Sequence, residues 1–392
     1  MKINPWALIA WATLGICIDV GLTRFGYGIM LPGLRRSLAL DYAASGAINT
    51  VHLLGYLMGT LAGPALGRRL GMRRLAVLSH SALCLGALVC AATPMAPLAG
   101  PLVLGLGRWL MGWGGGGAVL SILVMTFSAV PPAWRAPVSM LAWGSTGVAI
   151  VAAGAILPPL VDNDWSWRGV FLVCAGITGL LAVCFPPRGV MAAAAAPTGA
   201  GFALRDAFGT RWIFLNAHYF LFGTAYVAFA TFAGTRLVAL QSTPGLVSAS
   251  WEVYGLATAI GAAITAYAVG HVRWRKLALM GAACCGAVGA LVSVGEGAGF
   301  ALAGAGLVGL GLAATPALVA AYARGRCDDA QYASAFSIAT AFLGAGQLIG
   351  PVLAGALADR FGTVAVPLFA GGIYTLGVLV AMVDEWAMAR SA

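Results

Sequence analysis

About twelve stretches of this 392-residue chain are apolar and long enough to cross a bilayer, which excludes nearly every architecture except a polytopic membrane protein. They fall at roughly 6–32, 44–66, 75–93, 99–127, 137–160, 168–186, 210–235, 249–270, 277–294, 299–323, 331–357 and 365–383. A helix needs about 20 residues to span the hydrocarbon core, so each run suffices with some tilt. Hydrophobic residues make up 61% of the chain and charged ones 9%. Soluble domains carry about 25% charge, so this surface is not built to face water. The 55 glycines fit the same reading, because small residues let membrane helices approach closely.

The net charge of +10 does not indicate a nucleic-acid partner, since the basic residues sit in short loops between apolar runs. With the N-terminus inside, 15 of the 22 Lys and Arg residues lie on the inner side, five on the outer side, and Arg24 and Arg108 within spans. The positive-inside rule therefore predicts both termini in the cytoplasm. The eight cysteines show neither a metal-ligand spacing nor a disulfide framework and read as small apolar fillers.

The longest break between spans, Pro186 to Gly209, divides six spans from six. It predicts an N-terminal bundle over 1–186, a cytoplasmic linker over 187–209 and a C-terminal bundle over 210–392. A faint repeat supports the division. Gly112-x-Gly114-Gly115-Gly116-Gly117 in the fourth span matches Gly304-x-Gly306…Gly309-x-Gly311 in the tenth. The fifth and eleventh spans likewise share a glycine–proline pattern ending in aspartate. The expected fold is an all-α membrane protein of two pseudo-symmetric six-helix bundles, with a binding site where the repeats meet.

Arg108-Trp109-Leu110-Met111-Gly112 followed by its glycine ladder resembles the fourth-helix motif of the major facilitator superfamily. Gly346-Gln-Leu-Ile-Gly350-Pro351, Gly355-Ala-Leu-Ala-Asp359-Arg360-Phe361-Gly362 and Asp164-Trp165-Ser166-Trp167-Arg168 are similar to other motifs of that family. The Arg24-Phe25-Gly26-Tyr27…Leu31-Pro32 first helix, with Tyr226-Val-Ala-Phe-Ala-Thr-Phe232, resembles a bacterial branch whose members mostly lack an assigned substrate. The resemblance spans essentially the whole chain. It implies a monomeric carrier of the bacterial inner membrane working by alternating access. In the loop after the second span, Arg68, Arg69, Arg73 and Arg74 are present without the aspartate that the family usually places near Gly67 or Arg68.

An ionisable group in hydrocarbon is costly and marks a functional site by default. Arg24 is expected to receive a substrate carboxylate through its planar fork, or else to be neutralised by a neighbouring helix. Asp19 is a candidate proton site with the same structural alternative. In an α-helix the two point about 140° apart, at ~100° per residue, so they do not pair. On that arithmetic Asp19 shares a face with Thr23, and Arg24 shares one with Tyr27 and Gly28. Arg108 is either part of the cavity or a structural arginine on exposed carbonyls. His52 and His218 are candidate proton shuttles, though a lone buried histidine is more often a packing group. Tyr27, Tyr56, Trp113, Tyr226 and Tyr254 are candidates for lining a cavity, and Gln347 and Thr340 for hydrogen bonding within it.

No HExxH, GxSxG or GxxxxGK[ST] occurs, so neither an enzyme nor an ATP-driven pump is expected. No cofactor or metal is called for. The leading expectation is a secondary transporter for a small organic anion or amphipathic metabolite, coupled to protons. The alternatives are a proton-coupled drug or metabolite exporter, with Asp19 binding a proton or a cation, and a non-transporting sensor on the same fold.

Overall fold

The computed structural model describes residues 5–160, 166–184, 203–269, 272–327 and 329–391. Among these residues there is no strand; the chain forms twelve helical rods. The first is composite: α1 (Pro5–Ile16), a π-helical stretch (Cys17–Phe25) and α2 (Gly26–Leu38) run without a break. Then follow α3 (Tyr42–Leu70), α4 (Met72–Ala91), α5 (Ala99–Ala129), α6 (Pro132–Leu160), α7 (Ser166–Cys184), α8 (Ile213–Ala239), α9 (Pro244–Val269), α10 (Val272–Val292), α11 (Ala298–Arg326), α12 (Asp329–Phe361) and α13 (Ala365–Ser391). Eight of the described rods are long and apolar enough to cross a membrane, and three more hold shorter apolar segments. Large apolar side chains face outward, with Leu102 67% and Val183 85% exposed. Such a surface suits lipid, because a soluble monomer rarely exposes contiguous apolar area.

The packing repeats between halves. In the first half the π-helical stretch packs on α6, α3 and α4 pack on α5, and α4 packs on α7. In the second half α8 packs on α12, α9 and α10 pack on α11, and α10 packs on α13. This is the same pattern one six-rod unit later. The linker expected at 187–209 lies largely outside the described residues.

The glycine ladders become contacts here. Gly112 and Gly116 of α5 meet the carbonyls of His52 and Tyr56 on α3, while Gly55 and Gly59 of α3 meet those of Trp109 and Trp113. Any side chain at these positions would collide with backbone, which cannot yield. The α3–α4 connection is the single residue Gly71, at φ 84°, ψ 148°, a region that essentially only glycine adopts.

The two halves are joined by three helix pairs: α2 with α8, α3 with α12, and α6 with α9. The tightest contacts lie toward the end of the bundle remote from the chain termini. Gly28 meets the Ala230 carbonyl, Gly46 meets the Pro351 carbonyl, and Gly154 packs on Trp251. At that end the Asp359 carboxylate accepts hydrogen bonds from the backbone N–H groups of Tyr42 and Ala43, both at 2.8 Å. Asp41 takes the next, from Ala44. The first three orphan donors of α3 are thus satisfied, two of them by the other half of the protein.

Replacing Gly46 with leucine should force α3 and α12 apart at this end. Spin labels at Ala39 and Arg360, in a cysteine-free background, should then report a longer distance than without the replacement. An unchanged distance would show that the glycine contact does not hold the two halves closed.

Candidate functional site

A cavity of about 20 Å³, the room of roughly one water molecule, lies between the halves. Arg24, Phe25 and Gly28 line it from the first rod, Asn49 from α3, and Tyr226, Val227, Ala230 and Thr231 from α8. Arg24 is the one charged group in this lining. Its Nη2 donates to the Tyr226 hydroxyl, which also accepts from Gln347 Nε2 at 2.8 Å. Its Cζ lies 5.6 Å from the Tyr56 ring centroid and 5.7 Å from that of Tyr226. Among the described residues no carboxylate lies within ion-pair distance of it.

Aromatic rings extend from this cation. Tyr219, Phe222, Tyr226 and Phe229 follow one face of α8 at helical spacing. Phe222 stacks on Tyr226 at 4.9 Å between centroids, and Tyr254 stands 6.2 Å from Phe25 and 6.4 Å from Phe229. The Tyr254 hydroxyl is buried without a hydrogen-bond partner.

Arg108 is fully buried and does not line the cavity. Its Nη1 donates to the Thr23 carbonyl at 2.6 Å and its Nη2 to Asn49 Oδ1 at 3.1 Å. Asn49 donates onward to Thr231 Oγ1 at 2.8 Å. A hydrogen-bonded chain therefore runs from α5 through α3 to α8, and its Asn49 and Thr231 belong to the cavity wall. Tyr27, expected beside Arg24, instead sits with its ring 4.6 Å from the Arg108 Cζ and its hydroxyl on the Ser45 carbonyl. At ~100° per residue Tyr27 stands about 60° round the rod from Arg24, which lets it meet Arg108 of α5 and Ser45 of α3 instead. Gly28 does share the cavity with Arg24, as the same arithmetic expected.

The other candidates scatter. His52 Nδ1 lies 3.0 Å from the Arg108 carbonyl, and His218 Nδ1 lies 2.9 Å from that of Gly377 on α13. Both imidazoles tie helices together, and neither lines the cavity. Trp113 is half-buried and sets its backbone against Gly55 and Gly59, away from the cavity. Thr340 spends its hydroxyl on the Phe336 carbonyl. Asp19 does not line the cavity and faces His80 of α4, whose Nε2 lies 3.6 Å from Oδ2. Sequence reasoning missed three participants: Asn49, Thr231 and His80. A signal for one existed, because Asn49, His52 and Tyr56 form a polar stripe at i, i+3, i+7 within an apolar run.

Two repeated six-rod units meeting at a small polar cavity define the major facilitator fold. The family described as "Uncharacterised MFS-type transporter YbfB" matches residues 16–383, and the chain belongs to it. The chain is 31% identical over 175 residues to the 3-(3-hydroxy-phenyl)propionate transporter of Escherichia coli K12, covering 44% of this chain and 41% of that one. It is 28% identical over 170 residues to the gentisate transporter of Corynebacterium glutamicum, covering 42% and 36%. The chain thus spans about two fifths of the length of the curated relatives it matches. Among solved structures, the nucleoside transporter NupG (D323A mutant) superposes with a TM-score of 0.74 at 13% identity, over 95% of this chain and 99% of that one. An inward-facing, occupied bacterial homologue of the human lysosomal transporter Spinster gives 0.72 at 14%, over 98% and 96%. At such identities the structures establish the fold alone.

Proposed function

We propose that the protein carries an organic carboxylate with an aromatic or otherwise apolar body across the membrane, driven by protons. One observation carries the reading: a half-buried guanidinium in the cavity between the halves has no carboxylate partner among the described residues. It is held by a phenol hydroxyl, which a substrate carboxylate can displace with a stronger, bidentate bond. The aromatic face of α8 beside it suits a ring. The relatives' names agree in kind, since both describe aromatic carboxylic acids. The cavity lining holds no acid, which counts against a cationic drug as cargo.

Transport follows from the clasped arrangement. Units 1–186 and 210–392 would rock about the cavity, opening it to alternate sides. With both termini in the cytoplasm of a bacterial inner membrane, the clasp described above closes the outer side. Protein in liposomes should accumulate labelled 3-(3-hydroxyphenyl)propionate when a proton gradient is imposed, and the gradient's productive direction would separate uptake from export. Absence of carboxylate flux under either gradient would refute the proposal.

A further inference from the structure

We propose that Asp19 and His80 form a shared-proton site, built into the first half and separate from the substrate cavity. As the seat of the coupling proton it rests on the transport reading above; as a proton site it stands alone.

His80 Nδ1 lies 2.8 Å from the Ala76 carbonyl of its own helix. A carbonyl only accepts, so Nδ1 carries a proton. Nε2 then faces Asp19 Oδ2 at 3.6 Å, and among the described residues neither it nor either carboxylate oxygen has a hydrogen-bond partner. Without a further proton, two buried acceptors would face one another across this gap, each desolvated and unpaired. One proton, on the carboxyl or on Nε2, turns them into donor and acceptor. The gap is a few tenths of an ångström beyond a hydrogen bond, and the proton's arrival closes it.

Among the described residues the surroundings supply no other counter-charge. Cys17 from its own turn and Tyr56 from α3 interact electrostatically with Asp19. From α5, Gly115 stands by the Asp19 carbonyl. Arg24 and Arg108 are engaged by Tyr226 and by Thr23 and Asn49. From α1 the Trp11 ring lies 6.4 Å from that of His80. On the α6 side Ala149 fills the space at Gly21, while the buried Cys174 thiol of α7 interacts with Arg108.

The π-helical stretch gives the site its reach. Thr23 Oγ1 donates to the Asp19 carbonyl at 2.7 Å, and the Thr23 carbonyl accepts from Arg108. Arg108 leads through Asn49 to Thr231 in the other half. A proton that moves Asp19 toward His80 therefore pulls on the chain that joins the halves.

The chain has four histidines, so ¹⁵N-histidine spectra of the purified protein are resolvable, with His80→Gln assigning the signal. The expected wild-type signal shows Nδ1 protonated and Nε2 sharing a proton with Asp19. In Asp19→Asn, His80 should revert to a plain neutral Nδ1–H imidazole. An identical His80 signal in both proteins, or a neutral Nε2–H tautomer in the wild type, would overturn the site. Unchanged His218 and His52 signals certify that the variant is folded. Should Asp19→Asn fail to fold, a wild-type pH titration decides: a coupled two-step response supports the pair, and a simple isolated imidazole curve refutes it. In liposomes, Asp19→Asn should still exchange labelled carboxylate at equilibrium but accumulate none against its gradient. Retained accumulation would remove the coupling role, whereas no transport by the wild type would instead fail the transport reading and leave the spectra to judge the site.

Discussion

Replacing Arg24 with alanine should abolish carboxylate binding while leaving the protein folded. Truncating one member of a buried, hydrogen-bonded charge pair costs about 2–5 kcal/mol, roughly 30-fold to several-thousand-fold in Kd. The fold should survive because Tyr226 keeps its bond from Gln347, and no carboxylate is stranded by removing the cation. Arg24→Lys should fall between the two, since it keeps the charge and loses the planar fork. Calorimetric titration of the three proteins checks the order. Equal affinity of Arg24→Ala and wild type would remove the cation from the site.

The largest effect on stability should come from a different arginine. Arg326 closes α11 and donates from Nη1 to Asp384 Oδ1 of α13 at 3.0 Å and to the Arg211 carbonyl at 2.6 Å. Its Nη2 bonds Asp384 Oδ2. Both side chains are 3% exposed. Arg326→Ala leaves Asp384 buried and unpaired, a loss of about 3–5 kcal/mol. The double replacement Arg326→Leu with Asp384→Leu should recover most of it, because the cost lies in the stranded charge and not in the missing bond. Thermal unfolding in detergent should rank wild type and double variant close together and Arg326→Ala well below. A double variant as unstable as Arg326→Ala would contradict this account.

The rods were legible in the sequence because hydrocarbon imposes a minimum length on every apolar run. The second expected span, 44–66, became Tyr42–Leu70, and the eleventh, 331–357, became Asp329–Phe361. The extra turns are amphipathic ends that a hydropathy reading trims. Arg24 was legible for the converse reason, since a guanidinium in such a run is costly. Its partner was not, because Tyr226 lies 202 residues away and only the packing of α8 brings it near. The Asp359 cap on α3 joins residues 317 apart and is equally tertiary.

Other misses have local causes. Arg24 and Tyr27 stand about 60° apart round their rod at ~100° per residue, enough for Tyr27 to turn to Arg108 and Ser45. His80 lies between Ser79 and Ser81, a short polar break in an apolar run, but only the direction in which Asp19 points shows what it faces. Arg108 carries the family's motif, yet its position behind Asn49 is set by the α3–α5 glycine contacts that pull those helices together.

The account turns on a carboxylate meeting Arg24. The most direct measurement is the affinity of purified protein for 3-(3-hydroxyphenyl)propionate beside that for 3-ethylphenol, which keeps the ring and hydroxyl and lacks the acid. The account predicts that the acid binds the wild type far more tightly than the phenol does, and that Arg24→Ala erases the difference. Equal binding of acid and phenol, or an undiminished preference for the acid in Arg24→Ala, would contradict it.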